Sequence, residues 1–99
     1  MATEGPPSLE RLQRHAEELA SAGDWGPRAE AANKALLRIS PRNVQAINRL
    51  ARCFAQRGAQ ADALRLWQAA LKIDPSNIVA ANRVAELETQ TADETAAAA

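Results

Sequence analysis

Two stretches of this 99-residue chain carry nearly the same residues in the same order, NVQAINRLA at Asn43–Ala51 and NIVAANRVA at Asn77–Ala85. Each sets an amide beside a guanidinium, Asn48-Arg49 and Asn82-Arg83, and Arg52 follows about one turn after Asn48. A primary amide both donates and accepts, so it can pair with the backbone of a bound segment without reading its side chains. A guanidinium can hold a carboxylate through two parallel bonds. This is the chemistry of recognition rather than of bond-making. The sequence has no Gly-rich phosphate loop and no nucleophile elbow. Glu17-Glu18 and Asp93-Glu94 are adjacent pairs, which diverge on a helix or lie in a floppy tail instead of converging on one atom. His15 lacks a second His or a Cys nearby to share a metal and reads as a partly buried packing residue. Cys53, the one cysteine, falls at a small packed position and reads as an inert buried thiol. No enzymatic activity, cofactor or metal is expected.

The elements that position these groups follow from a longer match. Residues 35–51 and 69–85 agree at nine of 17 positions, six of them not alanine. A fixed spacing of this size signals a repeat architecture. Ile47, Leu50, Ala51 and Phe54 fall at i, i+3, i+4 and i+7, one face of a helix. Gly58 breaks that helix, and Ala63, Leu64, Trp67, Ala70 and Leu71 form the next apolar stripe. The turns SPRN at 40–43 and DPSN at 74–77 stop one helix with a proline and cap the next with Asn43 or Asn77. The pattern predicts five helices, over residues 8–22, 27–40, 43–57, 60–73 and 77–90, with Phe54 and Trp67 in the core. Trp25, in the turn, fits either packing between repeats or partial exposure. Residues 1–7 and the small polar tail at 91–99 are expected to be disordered.

The order of residues in 42–75 resembles the tetratricopeptide repeat, W-x2-L-G-x2-Y followed by A-x3-F, A and P in a 34-residue unit. Counted from Val44, Ile47 replaces the Trp, Leu50 matches the Leu, and Ala51 and Phe54 replace the Gly and Tyr. Ala63 matches its Ala, Trp67 replaces the Phe, and Ala70 and Pro75 fall in place. An earlier copy spans about 8–41, with one extra residue near Gly26-Pro27 and His15 where the family prefers Leu. Residues 77–90 match a first helix only; Ala81 and Glu88 stand where Trp and Tyr belong, as suits a solvating end cap. The resemblance implies an all-α protein: a right-handed α-α superhelix of about two and a half TPR-like helix-turn-helix repeats, one domain over residues 8–90.

Stacked repeats of this kind curve, and the first helix of each lines the concave side. At about 100° per residue, the face opposite the core carries Gln45, Asn48, Arg52, Ala55 and Gln56 in the second repeat. In the cap helix it carries Val79, Asn82, Glu86, Thr89 and Gln90. Asn48 and Asn82 are expected to stand one above the other, with Arg49 and Arg83 at the rim. The resemblance implies peptide binding in this groove, through Gln45, Asn48, Arg49, Arg52, Gln56, Asn82, Arg83 and Glu86. Some members clamp a terminal carboxylate with Asn and basic residues. Here the Asn comes one position earlier, and the first repeat offers Gln13 and Glu17 instead of a base. A second reading, in which Asn-Arg serves packing between repeats and solubility, is open at this point.

Charge narrows the partner. Formal net charge is zero, but residues 1–27 hold two Arg against five acids, 28–72 nine bases against two acids, and 73–99 one Arg against five acids. A basic middle suits an acidic protein or peptide, or the chain's own acidic ends. No aromatics interleave with the arginines, so nucleic acid is not expected. The single cysteine and the absence of a signal peptide or an apolar run of about 20 residues predict a cytoplasmic protein without membrane contact. The expected function is a protein–protein interaction module, a scaffold or adaptor. The alternatives are a homodimerising structural unit, since fewer than three full repeats make a short stack, or a fragment of a larger multidomain protein.

Overall fold

A computed structural model describes residues 8–98, with the side chains of 8–90. Five helices follow in chain order: α1 Leu9–Ser21, α2 Pro27–Ile39, α3 Val44–Gln56, α4 Gln60–Ile73 and α5 Ile78–Ala98. There is no strand among the described residues. Each helix packs chiefly on its neighbours in the chain, so the molecule is a run of antiparallel helix pairs.

The helix ends repeat as the sequence does. Asn43 and Asn77 accept hydrogen bonds from the backbone N–H of Ala46 and Ala80, each at 3.1 Å, and so cap α3 and α5. Ser8 caps α1 in the same way through Arg11 N–H, at 3.2 Å. Pro27 opens α2, where its missing N–H removes no intrahelical bond. α1 and α3 both end at a glycine in the left-handed region, Gly23 at φ +71° and Gly58 at φ +85°. A Schellman bond closes each end, from Asp24 N–H to Leu19 O and from Ala59 N–H to Phe54 O, both 2.8 Å.

The described boundaries of α1 to α4 lie within one residue of the expected ones. α5 differs. Its backbone stays helical to Ala98, where the sequence reading ended the helix at Gln90 and expected a disordered tail. Residues 91–98 contain no Gly or Pro and four Ala, so nothing local terminates the helix. The expected disorder of 1–7 lies outside the described residues, as does Ala99.

Eight of the fourteen buried apolar residues are alanine. Small side chains at a contact let helix axes approach toward the short end of the usual 8–10 Å range. One core cluster joins α1, α2 and α3 around Ala16, Leu19, Ala29, Leu36 and Cys53. A second joins α3, α4 and α5 around Ile47, Ala51, Ala63, Trp67 and Ala80. Leu37 packs against both clusters and links them. Trp67, 2% exposed, is the largest side chain in the second. Burying an aromatic of this size removes about 150–250 Å² from water, worth roughly 4–6 kcal/mol as an upper bound.

Candidate functional site

The face that the sequence assigned to the groove holds two adjoining depressions. One, of about 250 Å³, is lined by Trp25, Gln45, Asn48, Arg49, Arg52, Trp67 and Val79. The other, of about 260 Å³, is lined by Arg52, Ala55, Gln56, Gln60, Trp67, Arg83, Glu86, Leu87 and Gln90. Arg52 and Trp67 belong to both, so the two meet above the large side chain of α4. Seven of the eight expected contact residues line one or the other. Asn82 is exposed on α5 and lines neither.

The individual residues are placed less uniformly than the repeat suggests. Asn48 is half-buried and accepts a 3.1 Å bond from Asn77 Nδ2. Asn77 thus caps α5 with its oxygen while its amide nitrogen ties α5 to α3. The hydrogen-bonded asparagine pair of this face is therefore Asn48–Asn77. The cap residue lies at the turn between the helices, where the chain itself brings it against α3; Asn82 lies farther along α5, facing solvent.

Arg49 is not a rim charge. Its Nε donates to Asn33 Oδ1 at 2.9 Å, and Asn33 in turn donates through Nδ2 to Ala29 O at 2.9 Å. Asn33 is fully buried, the one polar residue of the core among the described residues. Burial lowers the Arg49 guanidinium pKa from its ordinary value, and the Glu17 carboxylate opposes that shift. Sequence reasoning passed over Asn33. The signal was available, because Asn33 lies 34 residues before Trp67, at the repeat's aromatic position.

Arg83, the counterpart of Arg49, behaves differently. It is half-exposed and pairs with Glu86 at 3.1 Å along the surface of α5. Arg52 lies over the Trp25 ring, 4.7 Å from its centroid, and pairs with no carboxylate among the described residues. Cation–π contact uses the flat face of a guanidinium and leaves its N–H edge for a ligand. Trp25 is half-buried and packs against the first core cluster. Trp67 Nε1 is buried with no hydrogen-bond acceptor among the described residues. An unmade buried bond of this kind costs about 1–3 kcal/mol.

Three further expectations meet the structure here. Cys53 is buried and free, and burial, with Glu30 and Asp24 adding to it, pushes its thiol up to about 11. His15 is exposed rather than packed, on the outer side of α1 beside Arg11, Arg14 and Glu18. Phe54 is only partly buried, because it ends the α3 stripe; Arg57 and Lys34 cover its ring at 4.5 and 5.7 Å. Both cations also bind Glu30, at 3.1 and 2.9 Å. No group of three or more potential metal ligands converges among the described residues. No described helix is long and apolar enough to cross a membrane.

No protein-family model matches the chain, and no curated protein matches it. In three dimensions it is similar to the TPR2B domain of yeast Sti1, solved in complex with pHsp70. The TM-score is 0.73 at 20% sequence identity, over 90% of this chain and 70% of that one. At this identity the likeness establishes the fold alone. The chain has the TPR-like all-α fold, built from the repeated helix pairs that its 34-residue period predicts.

Proposed function

We propose that this protein is an interaction module that binds an acidic peptide segment of another protein across α3 and α5, as a scaffold or adaptor. The observation that carries the reading is Arg52: a guanidinium stacked on Trp25, shared by both depressions and left without a carboxylate partner among the described residues. Gln45, Gln56, Arg83 and Glu86 surround it as further contacts. Asn48 and Arg49 shape the floor while bonded to Asn77 and Asn33. The basic middle of the chain adds a field that draws an acidic partner. The similarity to a domain solved with pHsp70 supports the class of function and leaves this partner's identity open. Affinity capture with the wild-type chain and with Arg52→Glu tests the site. The charge reversal should release the captured partner. A partner retained equally by both removes the assignment.

Exposed apolar residues at the start of α5 favour a second reading, self-association. Ile78 is 73% and Val79 54% exposed. Sedimentation at several concentrations separates the two readings, since a strict monomer excludes a homodimer built on this edge.

A further inference from the structure

We propose that Trp67 anchors the bound segment, its indole N–H donating to a carboxylate oxygen of an acidic peptide; this rests on the peptide-binding reading above. Indole is a donor only, so it can select nothing but an acceptor. Trp67 Nε1 is the one buried side-chain nitrogen or oxygen without an acceptor among the described residues. Its residue contributes to the floors of both depressions. Arg52, Arg83 and Glu86 stand in the walls. Glu86 is taken up by Arg83 and Arg52 has no carboxylate among the described residues, so the acceptor that suits the site is an anionic one.

The repeat itself argues for a site at this junction and not at the previous one. At the equivalent position of the first repeat, Asn33 spends both ends of its amide inside the protein, on Ala29 and Arg49. At Trp67 the polar atom has no acceptor among the described residues, and the equivalent arginine, Arg83, pairs among them with Glu86 in an exposed pair one helical turn long. Such a pair contributes little and exchanges readily for a ligand carboxylate. The N–H is buried in the free protein. The depression beside it is lined by long, flexible side chains, Arg52, Gln56, Gln60 and Arg83, and side-chain rotamer changes are common on binding; the anchor requires one that exposes the N–H.

The test uses the full chain, ¹⁵N-labelled, with three synthetic probes. These are hexaglutamate acetylated and amidated, hexaglutamate acetylated with a free C-terminus, and acetylated, amidated hexaglutamine. The chain has two tryptophans, and Trp25→Phe assigns the two indole N–H resonances. Saturation with hexaglutamate should move the Trp67 indole resonance, and hexaglutamine should leave it unmoved. Equal binding of both hexaglutamates identifies a side-chain carboxylate; binding of the free acid alone identifies the terminal one. Trp67→Phe should weaken binding about tenfold, equivalent to about 1.4 kcal/mol. Saturable binding that Arg52→Glu abolishes, with the wild-type Trp67 resonance unmoved or Trp67→Phe unimpaired, overturns the anchor and leaves the groove standing. If neither hexaglutamate binds, the anchor and the acidic-peptide reading fall together.

Discussion

The junction between α2 and α3 and the junction between α4 and α5 are built from matching sequence, yet they do opposite things with it. In both, an arginine of the incoming helix follows the aromatic position of the preceding one by 16 residues. At the first junction that position is Asn33, and Arg49 turns inward to donate to it. At the second it is Trp67, which offers no acceptor, and Arg83 stays at the surface with Glu86. The same Asn-Arg pair therefore closes one junction internally and leaves the other chemically open. Here the two arginines differ as the residues 16 positions before them do: Asn33 provides an accepting atom and Trp67 does not.

The comparison can be broken at Trp67 first. Trp67→Ala should cost about 3–5 kcal/mol by urea unfolding, as a large buried side chain is lost from a core otherwise rich in alanine. A loss below about 1 kcal/mol would mean the second cluster does not depend on it. The next largest effect belongs to the internal pair. Asn33→Leu should cost about 1–3 kcal/mol, because the partly buried Arg49 loses its acceptor. Adding Arg49→Leu should recover part of that loss, a positive coupling in a double-mutant cycle. Arg83→Leu, the matched change at the open junction, should stay within about 0.5 kcal/mol. Equal costs for the two arginine variants would erase the distinction drawn here.

Smaller effects sharpen the comparison at the caps. Asn43→Ala and Asn77→Ala should each cost about 1 kcal/mol for the lost N-cap. Asn77→Ala should cost more, because Asn77 also donates to Asn48. The smallest effect is at Glu30, whose carboxyl is held below its ordinary value of 4.5 chiefly by the hydrogen bond from Lys34. A depressed carboxyl stabilises the fold above its unfolded value and loses that contribution as pH falls through the lowered one. Glu30→Gln should therefore lose a few tenths of a kcal/mol at pH 7, and the gap to wild type should close on acidification below 4.5. Thermal melts from pH 7 to pH 3 measure it.

Much of the fold was readable without coordinates, because the signals are local. Helix stripes, glycine stops and asparagine caps act within a few residues, and the 34-residue period multiplied them. The end of α5 is less legible: small polar composition points to disorder, while an alanine-rich segment without a breaker can also continue the helix, as the described backbone does to Ala98. The face proposed as the site was also legible, since Gln45, Arg52, Gln56 and Glu86, which line the two depressions, follow from position around a helix. The Arg52–Trp25 stack was not, because it joins a helix to a turn about one repeat earlier.

By itself the sequence determined that the chain forms repeated helix pairs and which side of each helix meets solvent, since periodicity and capping are properties of short segments. Only the tertiary structure decided that Arg49 goes inward, that Asn48 answers Asn77, and that Trp67 Nε1 is buried without an acceptor among the described residues. Those outcomes depend on which acceptor lies across a helix interface, and a hydrogen bond between helices exists only once the helices have packed.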